Sequence, residues 1–168
     1  MFSFYKRHNN KLYNKLVELS RTKFFYDQIK LKDDFETRIL LIFFHFSIIL
    51  KISKKFKDKK YSQDIFDNVF HNIEYHIREL GYGDIAVNNK MKDLNKIFYD
   101  ILLNLDKEDS FLKKNNTHIL KKYFFREKEK NQRENIGKMS IYFKKFHNFC
   151  FDLDMNIVLN GSINFKYR

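Results

Sequence analysis

Ile39-Leu40-Leu41-Ile42-Phe43-Phe44-His45-Phe46-Ser47-Ile48-Ile49-Leu50 is the most apolar run in the chain, and its reading decides the architecture. As a helix these twelve residues span about 18 Å, well short of the ~30 Å hydrocarbon core of a bilayer. The run is apolar on every side instead of along one stripe, which marks a helix enclosed by others. It is therefore predicted to be the central helix of an all-α protein, capped by Asp33 and Asp34 and ending near Lys55.

Working outward, the apolar residues keep a helical period nearly everywhere. Leu12, Leu16 and Leu19, with Tyr13 and Val17, predict a first helix capped by Asn9 or Asn10, and Phe24, Phe25 and Ile29 predict a short helical turn. Beyond the central run, Lys51, Lys54, Lys55, Lys57, Lys59 and Lys60 predict a loop, after which Ser62 caps a helix carrying Ile65, Val69, Ile73 and Ile77. Gly81 should close that helix in the left-handed conformation. Val87, Met91, Leu94, Phe98, Ile101 and Leu105 mark a strong amphipathic helix, expected to begin near Asn88. Thr117 should cap a helix to about Lys130, with Glu127 to Glu134 a frayed end or an exposed loop. A further helix is expected from Ile136 to Phe151, with Ile141, Phe143, Phe146, Phe149 and Cys150 inward. Asp154 caps a last turn, Met155 to Asn160, ended by Gly161, and Ile163 and Phe165 alternate with polar residues in an extended tail. The expectation is a single-domain all-α bundle of about six to seven helices spanning 11–165, with a short extended C-terminal tail and residues 1–10 as an N-terminal extension.

Composition narrows the class. Of 168 residues, 33 are Lys or Arg and 21 Asp or Glu, a net charge of +12, while 43% are apolar and 30 are Phe or Tyr. Such a chain can bury a proper core and is not generically disordered. One cysteine, Cys150, excludes a disulfide scaffold and fits a reducing compartment. The basic balance points to an anionic partner such as nucleic acid or a membrane surface. Part of it has a plainer origin: Lys, Asn, Ile, Phe and Tyr abound and Ala occurs once, at Ala86, as in an A/T-rich coding sequence. Met1 to Arg7 place aromatic residues before charges, the reverse of a secretory signal. The expected location is cytoplasmic, with peripheral attachment to the inner face of the cytoplasmic membrane as the variant.

Nothing in the pattern argues for catalysis. His71 and His76 stand five apart and point about 140° away from each other on a helix, whereas a zinc helix spaces them by four. Gly81-Tyr82-Gly83 follows a helix, not a strand, and is no phosphate loop. His45 reads as a core histidine satisfied by a carbonyl, and Cys150 as inert packing between Phe149 and Phe151. No enzyme activity, metal, cofactor or small-molecule substrate is expected. The most informative segment is Arg78 to Lys96. Gly81 and Gly83 tighten the connection between two long helices, Asp84 either caps the next turn or pairs with Arg78, and Glu74 is a second acid within reach of Arg78. With a helix start near Asn88, Lys90 and Lys92 fall in its first turn, against the helix dipole. Arg78, Lys90 and Lys92 are therefore the candidate partner-binding residues.

Ile77-Arg78-Glu79-Leu80-Gly81-Tyr82-Gly83-Asp84, then Val87 and Lys90-Met91-Lys92, resembles the signature of the ubiquinol–cytochrome c chaperone family. Phe98-Tyr99 matches its aromatic pair. Upstream, Arg21 with Phe25-Tyr26, Asp34 with Arg38, and His45 are similar to its earlier elements, and Leu159 to Ile163, with Gly161, to its closing one. The resemblance is sharp at 78–92 and looser over the rest of 11–165. Glu127 to Glu134 looks like an insertion, Trp is lacking, and Asp100 stands where many members have Gly. The resemblance implies a non-catalytic assembly chaperone that binds newly made cytochrome b while ubiquinol–cytochrome c reductase (respiratory complex III) is built. It also implies a small partner subunit and the ribosome as associates, and the basic charge suits the inner membrane surface as well. The competing reading, from charge alone, is a basic ribosome- or RNA-binding module.

Overall fold

In a computed structural model that describes residues 10–54, 59–107, 117–125 and 130–167, the described residues form seven α-helices and one π-helical turn, without a strand. Asn10 accepts a hydrogen bond from the Tyr13 backbone N–H at 2.9 Å and opens α1 (Lys11–Ser20). The predicted turn at Phe24 is a single π turn, Phe24–Gln28, closed by Ile29 N–H to the Phe24 carbonyl at 3.1 Å. Of the two candidate caps, Asp34 is the one used: it accepts from Thr37 N–H at 2.9 Å and starts α2 (Phe35–Ser53). From Leu41 to Leu50 every residue of α2 is buried, as an all-round apolar helix requires. α1, α4 (Asp84–Lys107) and α6 (Gln132–Phe151) pack around it, α3 (Lys59–Glu79) lies on α4 and α1, and α5 (Thr117–Phe124) lies on α6. α7 (Met155–Leu159), capped by Asp154, completes the set.

Five boundaries or faces differ from the sequence reading. α3 starts at Lys59, so Ser62 lies inside it; Lys and Tyr are adequate helix formers, and the helix extends back through them. α4 starts at Asp84, not near Asn88, because the Gly83 carbonyl already accepts from Val87 N–H at 2.9 Å. α6 starts at Gln132, not Ile136. Asn131 takes the left-handed conformation that Asn tolerates, and a Glu134–Lys138 ion pair of 2.6 Å supports the polar first turn. On α6 the inward stripe is Met139, Tyr142, Phe143, Phe146 and Cys150, which turns Ile141 outward. α5 ends at Phe124, and the expected continuation falls partly on residues outside those described.

The aromatic residues form two clusters on opposite sides of α2. Between α2, α3 and α4, Phe98 lies 5.2–5.6 Å, centroid to centroid, from Phe43, Phe46, Phe66 and Phe70. Between α2, α6 and the tail, Tyr142 contacts Phe24, Phe25, Phe143, Phe165 and Tyr167 at 4.6–5.6 Å. Asp100 gains a role of its own: its carboxylate accepts from Lys122 at 2.6 Å and from the Tyr123 hydroxyl, tying α4 to α5.

Candidate functional site

The turn between α3 and α4 is held by one guanidinium. Arg78 donates through Nη2 to Glu74 Oε1 at 2.8 Å, one turn earlier on α3, and through Nη1 to Asp84, the first residue of α4. The two acids that the sequence offered as alternatives are thus both used, and the Asp84 and Glu74 carboxylates together raise the Arg78 pKa. Gly81 has φ +90°, the left-handed conformation, and its N–H bonds the Arg78 carbonyl at 3.0 Å. Gly83 does not have a positive φ and a side chain there would meet open space, so left-handed geometry is not what requires a glycine at that position. With α4 starting at Asp84, Lys90 and Lys92 lie beyond its first turn, and the dipole argument for them falls. Lys90 instead sits over the Tyr82 ring, 4.6 Å from its centroid, and Lys92 is exposed.

This clamped turn displays apolar side chains to solvent. Leu80 is 52% exposed, Tyr82 44% and Ile85 80%. Ile85 points outward because Val87 occupies the inward position of that helical turn. Sequence periodicity did not single out these three residues: Leu80 reads as a neighbour of the α3 stripe, and Ile85 as part of the turn that Asp84 caps.

Leu80 also reaches the rim of a cavity of about 200 Å³ where α1, α2 and α3 meet. α1 lines it with Tyr13, Val17, Ser20 and Arg21, α2 and its cap with Asp34, Phe35, Arg38, Ile39 and Ile42, and α3 with His76. Three family-matched residues, Arg21, Asp34 and Arg38, converge here, and Tyr26 stands behind them. Arg38 holds Asp33 with Nε at 2.8 Å and Nη2 at 2.6 Å, which raises its own pKa, and it also hydrogen-bonds Tyr26. The Tyr26 hydroxyl donates to the Ser20 carbonyl at 2.6 Å, and burial, together with Asp33, raises its pKa. Burial pushes the Asp34 carboxyl upward, but the Thr37 N–H and Lys32 outweigh it and leave the carboxyl below its usual range. The Tyr13 hydroxyl has no hydrogen-bond partner among the described residues, and burial pushes its pKa up to about 12.

The other matched residues serve the core. His45 is fully buried: its Nδ1–H donates to the Leu41 carbonyl at 2.7 Å and its Nε2 accepts from the Tyr142 hydroxyl at 2.9 Å. Burial lowers its pKa to about 4. Phe98 is buried and Tyr99 half exposed beside Phe66, so the aromatic pair divides between core and surface. Gly161 has φ +72° and lies so close to α1 that a Cβ on it would meet the Lys11 carbonyl oxygen at 2.5 Å. His76 stands edge-on to Phe35 at 5.6 Å, and no cluster of three metal-ligating side chains occurs among the described residues. No described helix is long and apolar enough to cross a membrane.

The family model described as ubiquinol–cytochrome C chaperone matches residues 27–164. The chain belongs to the ubiquinol–cytochrome c chaperone family. The match spans α2 to α7 and includes the clamped turn and part of the cavity wall. The fold is similar to that of the crystal structure of the Cbp3 homolog from Brucella abortus, at a TM-score of 0.71 and 22% identity, over 94% of this chain and 87% of that one. No curated protein matches the chain.

Proposed function

We propose that this chaperone acts without catalysis, holding newly made cytochrome b through the α3–α4 turn while ubiquinol–cytochrome c reductase is assembled. The observation that carries the reading is the display of Leu80, Tyr82 and Ile85 on a turn that the double ion pair of Arg78 fixes in place. An exposed apolar group on a rigid support suits an apolar client segment, because little ordering entropy is lost on docking. Lys90 and Lys92 beside it suit the acidic ends of such a segment, a partner subunit or an anionic lipid surface. The ribosome is the place where such a client emerges, and a net charge of +12 favours association with its RNA.

The test is affinity purification from the host with wild type and with Leu80→Asp/Ile85→Asp. Wild type should bring down cytochrome b and the double variant should not, although it folds to the same helical content. Equal recovery of cytochrome b would move the client surface elsewhere. Recovery of ribosomal RNA alone, lost steeply between low and moderate salt, would replace the chaperone reading with the basic-module reading.

A further inference from the structure

The outer side of α4 presents to solvent a pattern that the core does not require. Its inner side faces the core through Val87, Phe98, Ile101 and Leu105. Outward, Ile85, Lys92, Tyr99 and Leu103 lie within about 40° of one another around the helix, with Lys96 about 20° further. At about 1.5 Å per residue, the row from Ile85 to Leu103 is about 27 Å long. All five side chains are exposed, Tyr99 by 49% and Leu103 by 55%. Tyr99 is braced against Phe66 of α3, at 5.9 Å between ring centroids, which gives that end of the row a firm base. The order along the row is apolar, basic, apolar: Ile85 at one end, Lys92 and Lys96 in the middle, Tyr99 and Leu103 at the other. Asp93 lies 3.9 Å from Lys96 with both side chains in water, a pair weak enough for a better-placed acid to replace.

We propose that this row seats one amphipathic α-helix of a partner protein, with apolar residues at both ends of its docking face and acidic residues between them. Side chains on one face of such a helix form a line that matches the row in length and period. Carboxylates in the middle of that line meet Lys92 and Lys96, and the apolar contacts at either end fix the register. A second copy of this chain does not fit: antiparallel pairing sets Lys92 against Lys96, and parallel pairing sets each lysine against itself. A lipid surface takes a continuous apolar face flanked by cations, whereas here the cations interrupt the apolar row. Nucleic acid would use the lysines and leave Ile85 and Leu103 without a role. The inference goes beyond the client reading. Ile85 and Lys92 are shared with the proposed client surface, but Lys96, Tyr99 and Leu103 are not, and the test contains no cytochrome b.

The probe is a dye-labelled helical peptide of Ala and Gln, with leucines at the spacing of Ile85, Tyr99 and Leu103 and glutamates at that of Lys92 and Lys96. It is titrated with the full chain and followed by fluorescence anisotropy, beside a control peptide carrying lysines in place of the glutamates. The glutamate peptide is expected to bind with Kd of about 0.5 mM or below, and the lysine peptide about tenfold more weakly or worse. Leu103→Asp, at an exposed position, should keep the helical content and weaken the glutamate peptide by about fivefold or more. Lys92→Glu/Lys96→Glu should exchange the preference, taking up the lysine peptide and releasing the glutamate one, a gain that a misfolded chain cannot show. No binding of the glutamate peptide at about 1 mM chain, equal binding of the two peptides, or an unchanged preference in the double variant would each overturn the proposal. Sedimentation with phosphatidylglycerol vesicles that Leu103→Asp abolishes, while the peptide stays unbound, would overturn it in favour of a lipid surface.

Discussion

At the scale of single residues, His45 shows how a polar group is kept inside an aromatic core. Burial keeps the ring neutral, and in that form both nitrogens are satisfied, with Nδ1–H on Leu41 and Nε2 receiving the Tyr142 hydroxyl. The folded pKa of about 4 lies below the ordinary histidine value of 6.5. Between those values the unfolded chain takes up the proton and the folded one does not, so stability is full above pH 6.5 and is lost as pH falls toward 4. The loss amounts to about 3 kcal/mol by linkage. Urea titrations at pH 7 and pH 4.5 should show it, and His45→Gln, which cannot titrate, should flatten that part of the profile. The two left-handed glycines make a second, graded prediction. Gly81 faces open space, so Gly81→Ala costs only backbone strain, about 1–2 kcal/mol. Gly161→Ala adds a clash with the Lys11 carbonyl and should cost clearly more, with a correspondingly lower melting temperature. Equal losses at the two glycines would contradict the close approach.

At the scale of elements, the α3–α4 connection carries the sharpest test. Lys90→Glu/Lys92→Glu should lower the melting temperature only slightly. It removes one cation–π contact with Tyr82, about 0.5–1 kcal/mol at an exposed site, and acts beyond the turn where the helix dipole is felt. The same variant should weaken recovery of the client or partner; unchanged recovery would make these lysines a solvated face. Periodicity made the helices legible, because Ile65, Val69, Ile73 and Ile77, or Val87 through Leu105, admit one inward face. The helix starts were less legible. Asp84 reads as a cap of the next turn or as a partner of Arg78, and only the Gly83-to-Val87 hydrogen bond makes it the first residue of α4. The cavity was legible only in pieces. Arg21, Asp34 and Arg38 were each recognisable, but their convergence depends on how α1 crosses α2, which no local pattern encodes. Tyr13 and His76 looked like ordinary members of an inward stripe and a solvated face.

At the scale of the molecule, the core is closed by its tail. Ile163 is fully buried, and Phe165 and Tyr167 pack on Tyr142, Phe146 and Phe24. Ending the chain at Asn160 should cost at least about 3 kcal/mol, since burying Ile163 alone is worth roughly 1.5–3 kcal/mol. For a domain of this size that lowers the melting temperature by about 6–12 °C, which differential scanning fluorimetry would read. A change under 2 °C would show that the tail merely covers the core. The contact between Gly161 and Lys11 also has a consequence in time. Positions 11 and 161 lie 150 residues apart, and at about 5–20 residues per second a ribosome takes roughly 8–30 s to travel between them. For most of that interval the residues of α1 have been made while the turn that seats them has not, and Phe24 and Phe25 wait for Tyr142. A protein proposed to guard apolar segments as they emerge thus begins its own life as one, with its aromatic core open until translation is nearly finished.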